Sequence, residues 1–141
     1  MIYLDRVETK WPLRIQLPIG TQVPFHCTAS GKMYLSTLRE NTLDGFMSAR
    51  KLNPNTKKTL TEPETLRAEV INVARKGYST DNEEFMPGMA AVAVPVLDKN
   101  NRLVATLSVH APTQRHNLES LMQFVKLLQV GANKISGLLV S

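Results

Sequence analysis

The stretch from residue 89 to residue 109 constrains this chain most. Met89 to Val96 is a nearly continuous apolar run, Arg102 to Val109 is a second strand-forming stretch, and Asp98-Lys99-Asn100-Asn101 between them is polar and turn-forming. Two such runs across a short polar turn predict an antiparallel hairpin with its turn on the surface. The first run is apolar enough to be the most buried strand of the chain, so helices must pack on the sheet that holds it. At 141 residues there is one core to build, because chains near this length bury roughly 68–70% of their unfolded surface and seldom divide further.

The flanking segments supply the cover. Thr61-Glu62-Pro63-Glu64 combines a candidate N-cap, a first-turn proline and a glutamate three residues after the cap, the pattern that starts a helix. Leu66, Val70 and Val73 give that helix its apolar stripe, Arg75 and Lys76 suit its negative end, and Gly77 stops it. A helix is predicted from about Thr28 to Leu38, with Ala29, Met33, Tyr34 and Leu38 at helical spacing, and a short one capped by Thr42 runs through Arg50. From Asn117 to about Leu139 a single long helix places Leu118, Leu121, Met122, Val125, Leu128, Ala132, Ile135 and Leu139 on one face. Phe124, Leu127 and Leu138 fall off that stripe, an excess of apolar surface that suits an oligomer interface. At the other end Leu13, Ile15 and Leu17 alternate with Arg14 and Gln16, which predicts a strand over 12–17 paired with one over Ile2 to Val7. The order strand-strand, three helices, strand-strand, helix predicts an α+β fold, an antiparallel sheet flanked by helices. Ile2-Tyr3-Leu4 read as a strand already under way, so the chain reads as a piece of a longer protein.

Composition excludes several function classes. Hydrophobic residues make up 43% and charged residues 21%, and no run nears the roughly 18 apolar residues of a membrane span. Cys27 is the sole cysteine, so an intrachain disulfide and a multi-cysteine zinc site are ruled out, and a reducing, cytoplasmic setting is the inference. The balance of 17 basic to 12 acidic residues gives +5, but the basic residues form no stripe and aromatics are 6%, so only weak binding of nucleic acid, without sequence preference, is expected of this chain.

Catalytic motifs are sparse: there is no Gly-rich phosphate loop, no metal-binding His-x-x-x-His and no Gly-x-Ser-x-Gly elbow. His26 beside Cys27 offers a nucleophile and a base, yet neighbours on an extended chain point opposite ways. His26, His110 and His116 with Asp81 or Glu84 show no ligand spacing, so no metal is expected. The acidic run Asp81-Asn82-Glu83-Glu84 precedes the apolar strand and reads either as a solvated loop or as a loop folded over a cavity. Ser108 and His110 stand two apart on one strand and share a face, lining a pocket or facing water.

Several blocks then resemble one family. Tyr3-Leu4-Asp5-Arg6-Val7-Glu8, Val23-Pro24-Phe25-His26-Cys27-Thr28-Ala29-Ser30-Gly31-Lys32, Gly77-Tyr78-Ser79-Thr80-Asp81-Asn82-Glu83-Glu84, Gly88 before Ala91-Val92-Ala93-Val94-Pro95-Val96, and Leu107-Ser108-Val109 with Pro112 and Arg115 are similar in order and spacing to the effector-binding domain of IclR-type transcriptional regulators. The resemblance spans nearly the whole chain and implies a GAF-like single domain over 1–141. It implies that the family's N-terminal winged helix-turn-helix, linker helix and first strand lie outside this sequence. It further implies a metabolite-sensing, non-enzymatic role in transcription regulation, with DNA bound only through the missing part, a homodimer or homotetramer, and no membrane or cofactor. The ligand positions that transfer are Ala29, Ser30, Gly31, Asp81, Met89, Ala91, Ser108 and His110. Ala91 stands where some members have cysteine, and His110 where many have a second serine.

From the residues themselves, the opening turn of the Ala29 helix attracts negative charge, so the expected ligand is a small organic acid, with Asp81 taking a proton or accepting from a ligand hydroxyl. Two alternatives stand beside this reading: a small hydrolase or transferase using His26, Cys27 and Asp81, and a GAF-type sensor of a signalling protein.

Overall fold

The apolar run does form the middle of a sheet. In the computed structural model, which describes residues 1–8, 10 and 17–139, strand β2 (Met89–Leu97) pairs antiparallel with β3 (Leu103–Pro112) on one side and β1 (Ser79–Asn82) on the other. Asp98 makes the hairpin turn: its Oδ1 accepts from the amides of Asn100 and Arg102, at 2.8 and 3.0 Å. β1 is a strand that the sequence does not announce, because Ser-Thr-Asp-Asn carries no apolar alternation; its pairing with β2 alone makes it one. The acidic run is therefore half strand and half loop.

Register divides the sheet into two unlike faces, since residues directly opposite across strands point the same way. Ala90, Val92, Val94 and Val96 of β2 lie on one face with Val109 and Ala111 of β3, and pack with Leu121, Val125 and Ala132 in the main core. The other face holds two polar rows, Asp81–Ala91–His110 and Ser79–Ala93–Ser108. Helix α1 (Ala29–Ser36) covers it, with Ala29 packed on Ala91 and Ala93.

α1 begins at Thr28, whose Oγ1 accepts from the Gly31 amide at 3.0 Å and donates to Pro24 O at 2.7 Å. Behind it, α2 (Glu40–Ala49) and α3 (Pro63–Lys76) build a second core of Leu35, Leu43, Met47, Leu52, Leu66 and Val70. Two helix starts differ from expectation. α2 begins at Arg39, leaving Thr42 inside it, and α3 is capped by Glu62 with Pro63 first, so Thr61 is no cap. The end of α3 is as read: Gly77, at φ 81°, donates its amide to Val73 O.

The long C-terminal helix is two helices, α4 (Leu118–Met122) and α5 (Val125–Leu138), with Asn117 as N-cap. At the joint the Phe124 amide bonds Leu121 O, a tighter turn than α-helical, and the Phe124 ring stands edge-on to His116, 5.7 Å away. The break rotates the predicted stripe: Leu121, Val125 and Ala132 are buried, whereas Met122, Ile135 and Leu139 face outward with Leu127, Val130 and Leu138.

The predicted N-terminal strand pair falls largely on residues outside those described. Of the strand over 12–17, residues 12–16 lie outside the described residues. Ile2 makes one bridge, to Gln22, and Tyr3 exchanges backbone bonds with Thr21 and Gly20. Leu4 and Val7 are 70% and 100% exposed.

A candidate ligand cavity between helix and sheet

The polar rows and the start of α1 enclose a cavity of about 20 Å³. Thr28, Ala29 and Ser30 line it from the helix; Asp81, Met89, Ala91, Ser108 and His110 line it from the sheet; Tyr3, Val23 and Phe85 complete the wall. Seven of the eight positions singled out in the sequence thus stand around one space. Gly31 does not. A Cβ on Gly31 would overlap the Phe25 backbone and come within 2.6 Å of Thr28 Oγ1, so glycine there serves close packing of the cap. The added wall residues carried no signal of their own, since only the fold brings Tyr3 and Phe85 to this space.

Asp81 is the chemically distinctive group. It is 1% exposed, its Oδ1 accepts from the Glu84 amide at 2.7 Å and more distantly from that of Phe85, and its Oδ2 has no hydrogen-bond partner. Burial pushes its pKa up to about 7, against the opposing pull of the Glu84 amide and Lys32. The carboxyl is therefore part protonated near neutrality and can donate or accept. Burial lowers the pKa of His110, so the imidazole is neutral at pH 7 and donates from one nitrogen, not the two of a protonated ring. Its ring meets Tyr3 edge-on at 6.3 Å. Of the amides in the first turn of α1, which lack partners within the helix, that of Gly31 goes to Thr28; Ala29 and Ser30 are lining residues of the cavity.

Behind Asp81, Lys32 is 1% exposed and places Nζ 2.9 and 3.0 Å from the Glu84 carboxylate, with Glu69 at 3.8 Å. Glu84 Oε2 accepts from the Asn82 amide, and Thr59 Oγ1 donates to Glu84 O at 2.6 Å. These bonds tie the loop after β1 to α1.

The hydrolase alternative loses its nucleophile. Cys27 is fully buried, and burial with the charges of Asp81 and Glu84 pushes its thiol to about 12, whereas a reactive thiol is one whose pKa is depressed. Its neighbour His26 bonds Asn53 O through Nε2 at 2.8 Å. Among the described residues no three His, Cys, Asp or Glu are grouped to hold a metal, and no helix is long and apolar enough to cross a membrane.

A sequence model described as the C-terminal part of the bacterial transcriptional regulator IclR matches residues 1–137. The chain belongs to the IclR family. Its relatives are transcriptional regulators, among them a probable transcriptional regulator, SauR, of Cupriavidus necator, 38% identical over 96% of this chain and 54% of that protein. The crystal structure of the Thermotoga maritima IclR superposes with a TM-score of 0.89 at 31% identity, over 99% of this chain and 57% of that one. The inducer-binding domain of the PobR transcription factor from Acinetobacter, solved as a double mutant in complex with 3-hydroxybenzoic acid, gives 0.80 at 29% identity over 84% and 70%. The chain spans about half the length of the curated relatives it matches. The chain has the α+β fold of these structures, and neither the enzyme nor the signalling-protein alternative is favoured.

Proposed function

We propose that this IclR chain senses a small organic acid in the cavity between α1 and the sheet, and that occupancy controls DNA binding by a winged helix-turn-helix outside the 141 residues. The protein acts in the cytoplasm as a homodimer or homotetramer. The observation that carries the ligand reading is Asp81, buried on the cavity wall with an unpartnered Oδ2. An isolated buried acceptor costs stability unless something pairs with it. A carboxylate ligand fits the amides at the start of α1 and the Ser108 hydroxyl; neutral Asp81 then donates to it, and ionised Asp81 accepts from a ligand hydroxyl. That the PobR domain was solved with a hydroxy acid supports the class. The positions proposed to touch ligand are Ala29, Ser30, Asp81, Met89, Ala91, Ser108 and His110.

The test is thermal unfolding with two- to four-carbon 2-hydroxy and 2-keto acids. Ligand at a hundred times its Kd adds about 2.7 kcal/mol, a rise of several degrees for a domain of this size. Ser30→Leu, at a half-buried position, should abolish the rise and leave the unliganded melting temperature nearly unchanged. Collapse of the unliganded protein, or a retained rise, would place the ligand elsewhere.

A further inference from the structure

A cavity of about 20 Å³ holds roughly one water molecule. If it is the effector site proposed above, part of its wall must yield to an organic acid. The sheet residues are held in register, α1 is pinned by the buried Lys32–Glu84 pair, and Phe85 follows a loop bonded to Asp81 and Thr59. Tyr3 and Val23 sit in segments with neither helix nor paired strand, which among the described residues are tied to each other by one bridge and by the backbone bonds of Met1 and Tyr3 to 20–23; Val23 is small and buried, which leaves Tyr3 as the bulky wall group held in this way. Its ring is half-buried and leans edge-on against His110.

We propose that Tyr3 is the specificity-determining wall of the cavity: its ring gives way to admit a ligand and sets the largest acid that fits. The phenol contributes as bulk. Buried near Asp81, it stays neutral at ordinary pH, and no hydrogen bond joins it to the unpartnered Asp81 Oδ2.

Two probes of different width read this out by titration calorimetry on the 141-residue chain: lactate, and 3-hydroxybenzoate, which adds an aromatic ring. Tyr3→Ala should raise affinity for 3-hydroxybenzoate relative to lactate at least tenfold, and Tyr3→Phe should keep the wild-type ratio. A ratio unchanged in Tyr3→Ala, including no binding of either probe, overturns the proposal. So does a Tyr3→Phe ratio that shifts as far as that of Tyr3→Ala, since the hydroxyl would then be responsible. Ser30→Leu separates the two claims. If it abolishes lactate binding while Tyr3→Ala leaves the ratio alone, the cavity is the site and Tyr3 is not its gauge; if lactate still binds Ser30→Leu, the site itself is misplaced.

Discussion

One buried carboxyl contributes a pH-dependent part of this domain's stability. Burial raises the Asp81 pKa from the ordinary 3.8 to about 7, so between those values this group holds its proton more in the folded chain than in the unfolded one, and its contribution to stability falls as pH rises across that window and flattens above it. Each pKa unit is worth about 1.4 kcal/mol, which makes the charged form a cost of a few kcal/mol above pH 7. Asp81→Asn keeps an acceptor for the Glu84 and Phe85 amides and cannot ionise. Urea unfolding should therefore show it equal to wild type near pH 4, increasingly more stable up to pH 7, and ahead by a constant margin beyond. A gain of the same size at every pH would show that the carboxyl does not titrate in the fold. Lys32 works in the opposite sense, for it neutralises Glu84 at 1% exposure. Lys32→Met strands that carboxylate and should cost about 3–5 kcal/mol, whereas adding Glu84→Gln to it should recover much of the loss.

Among the elements, α1 has the least tolerance. Its cap requires Thr28 and the Phe25 backbone to sit against Gly31, and backbone cannot step aside as a flexible side chain would. Gly31→Ala should lower stability by about 2 kcal/mol or more through overpacking, measured by thermal melting, although alanine ordinarily favours a helix interior. An unchanged melting temperature would mean the cap relaxes freely. The same element shows where sequence reading succeeds and fails. Its helical spacing is local and legible, as are the proline and glycine that bound α3. β1 was not legible, because Ser-Thr-Asp-Asn becomes strand only through the edge of β2 offered to it. The break before α5 was hidden too, since the tight turn at Phe124 is seen only once its ring meets His116.

For the molecule as a whole, the outward face of α5 is the feature that remains to be satisfied. Leu127, Val130 and Leu138 are 68%, 52% and 82% exposed, and apolar surface in contiguous patches favours association. Sedimentation at high micromolar concentration should show species larger than the monomer. Leu127→Glu with Leu138→Glu should return the chain to monomer without lowering its melting temperature, because neither side chain supports the core. A wild-type monomer at that concentration would remove the self-association reading. The scattered positive charge gives a further expectation: the 141 residues alone should bind DNA weakly and without sequence preference, and nanomolar operator-specific binding at physiological salt would contradict it.

The amino-acid sequence by itself determined the hairpin at the centre, the helices that cover it and the polar positions on one of its faces, because periodicity, caps and turns act over a few residues and need no partner. It also carried, in linked blocks, the likeness to IclR regulators. Only the tertiary structure decided which face of the sheet each polar residue shares, that Asp81 and Ser79 stand in rows with His110 and Ser108, and that Gly31 serves packing rather than the cavity. Its burial also raises the pKa values of the Asp81 carboxyl and the Cys27 thiol. The reason is common to all of these: burial and strand register are set by residues far apart in the chain, and a carboxyl acquires its pKa from the water that the fold removes.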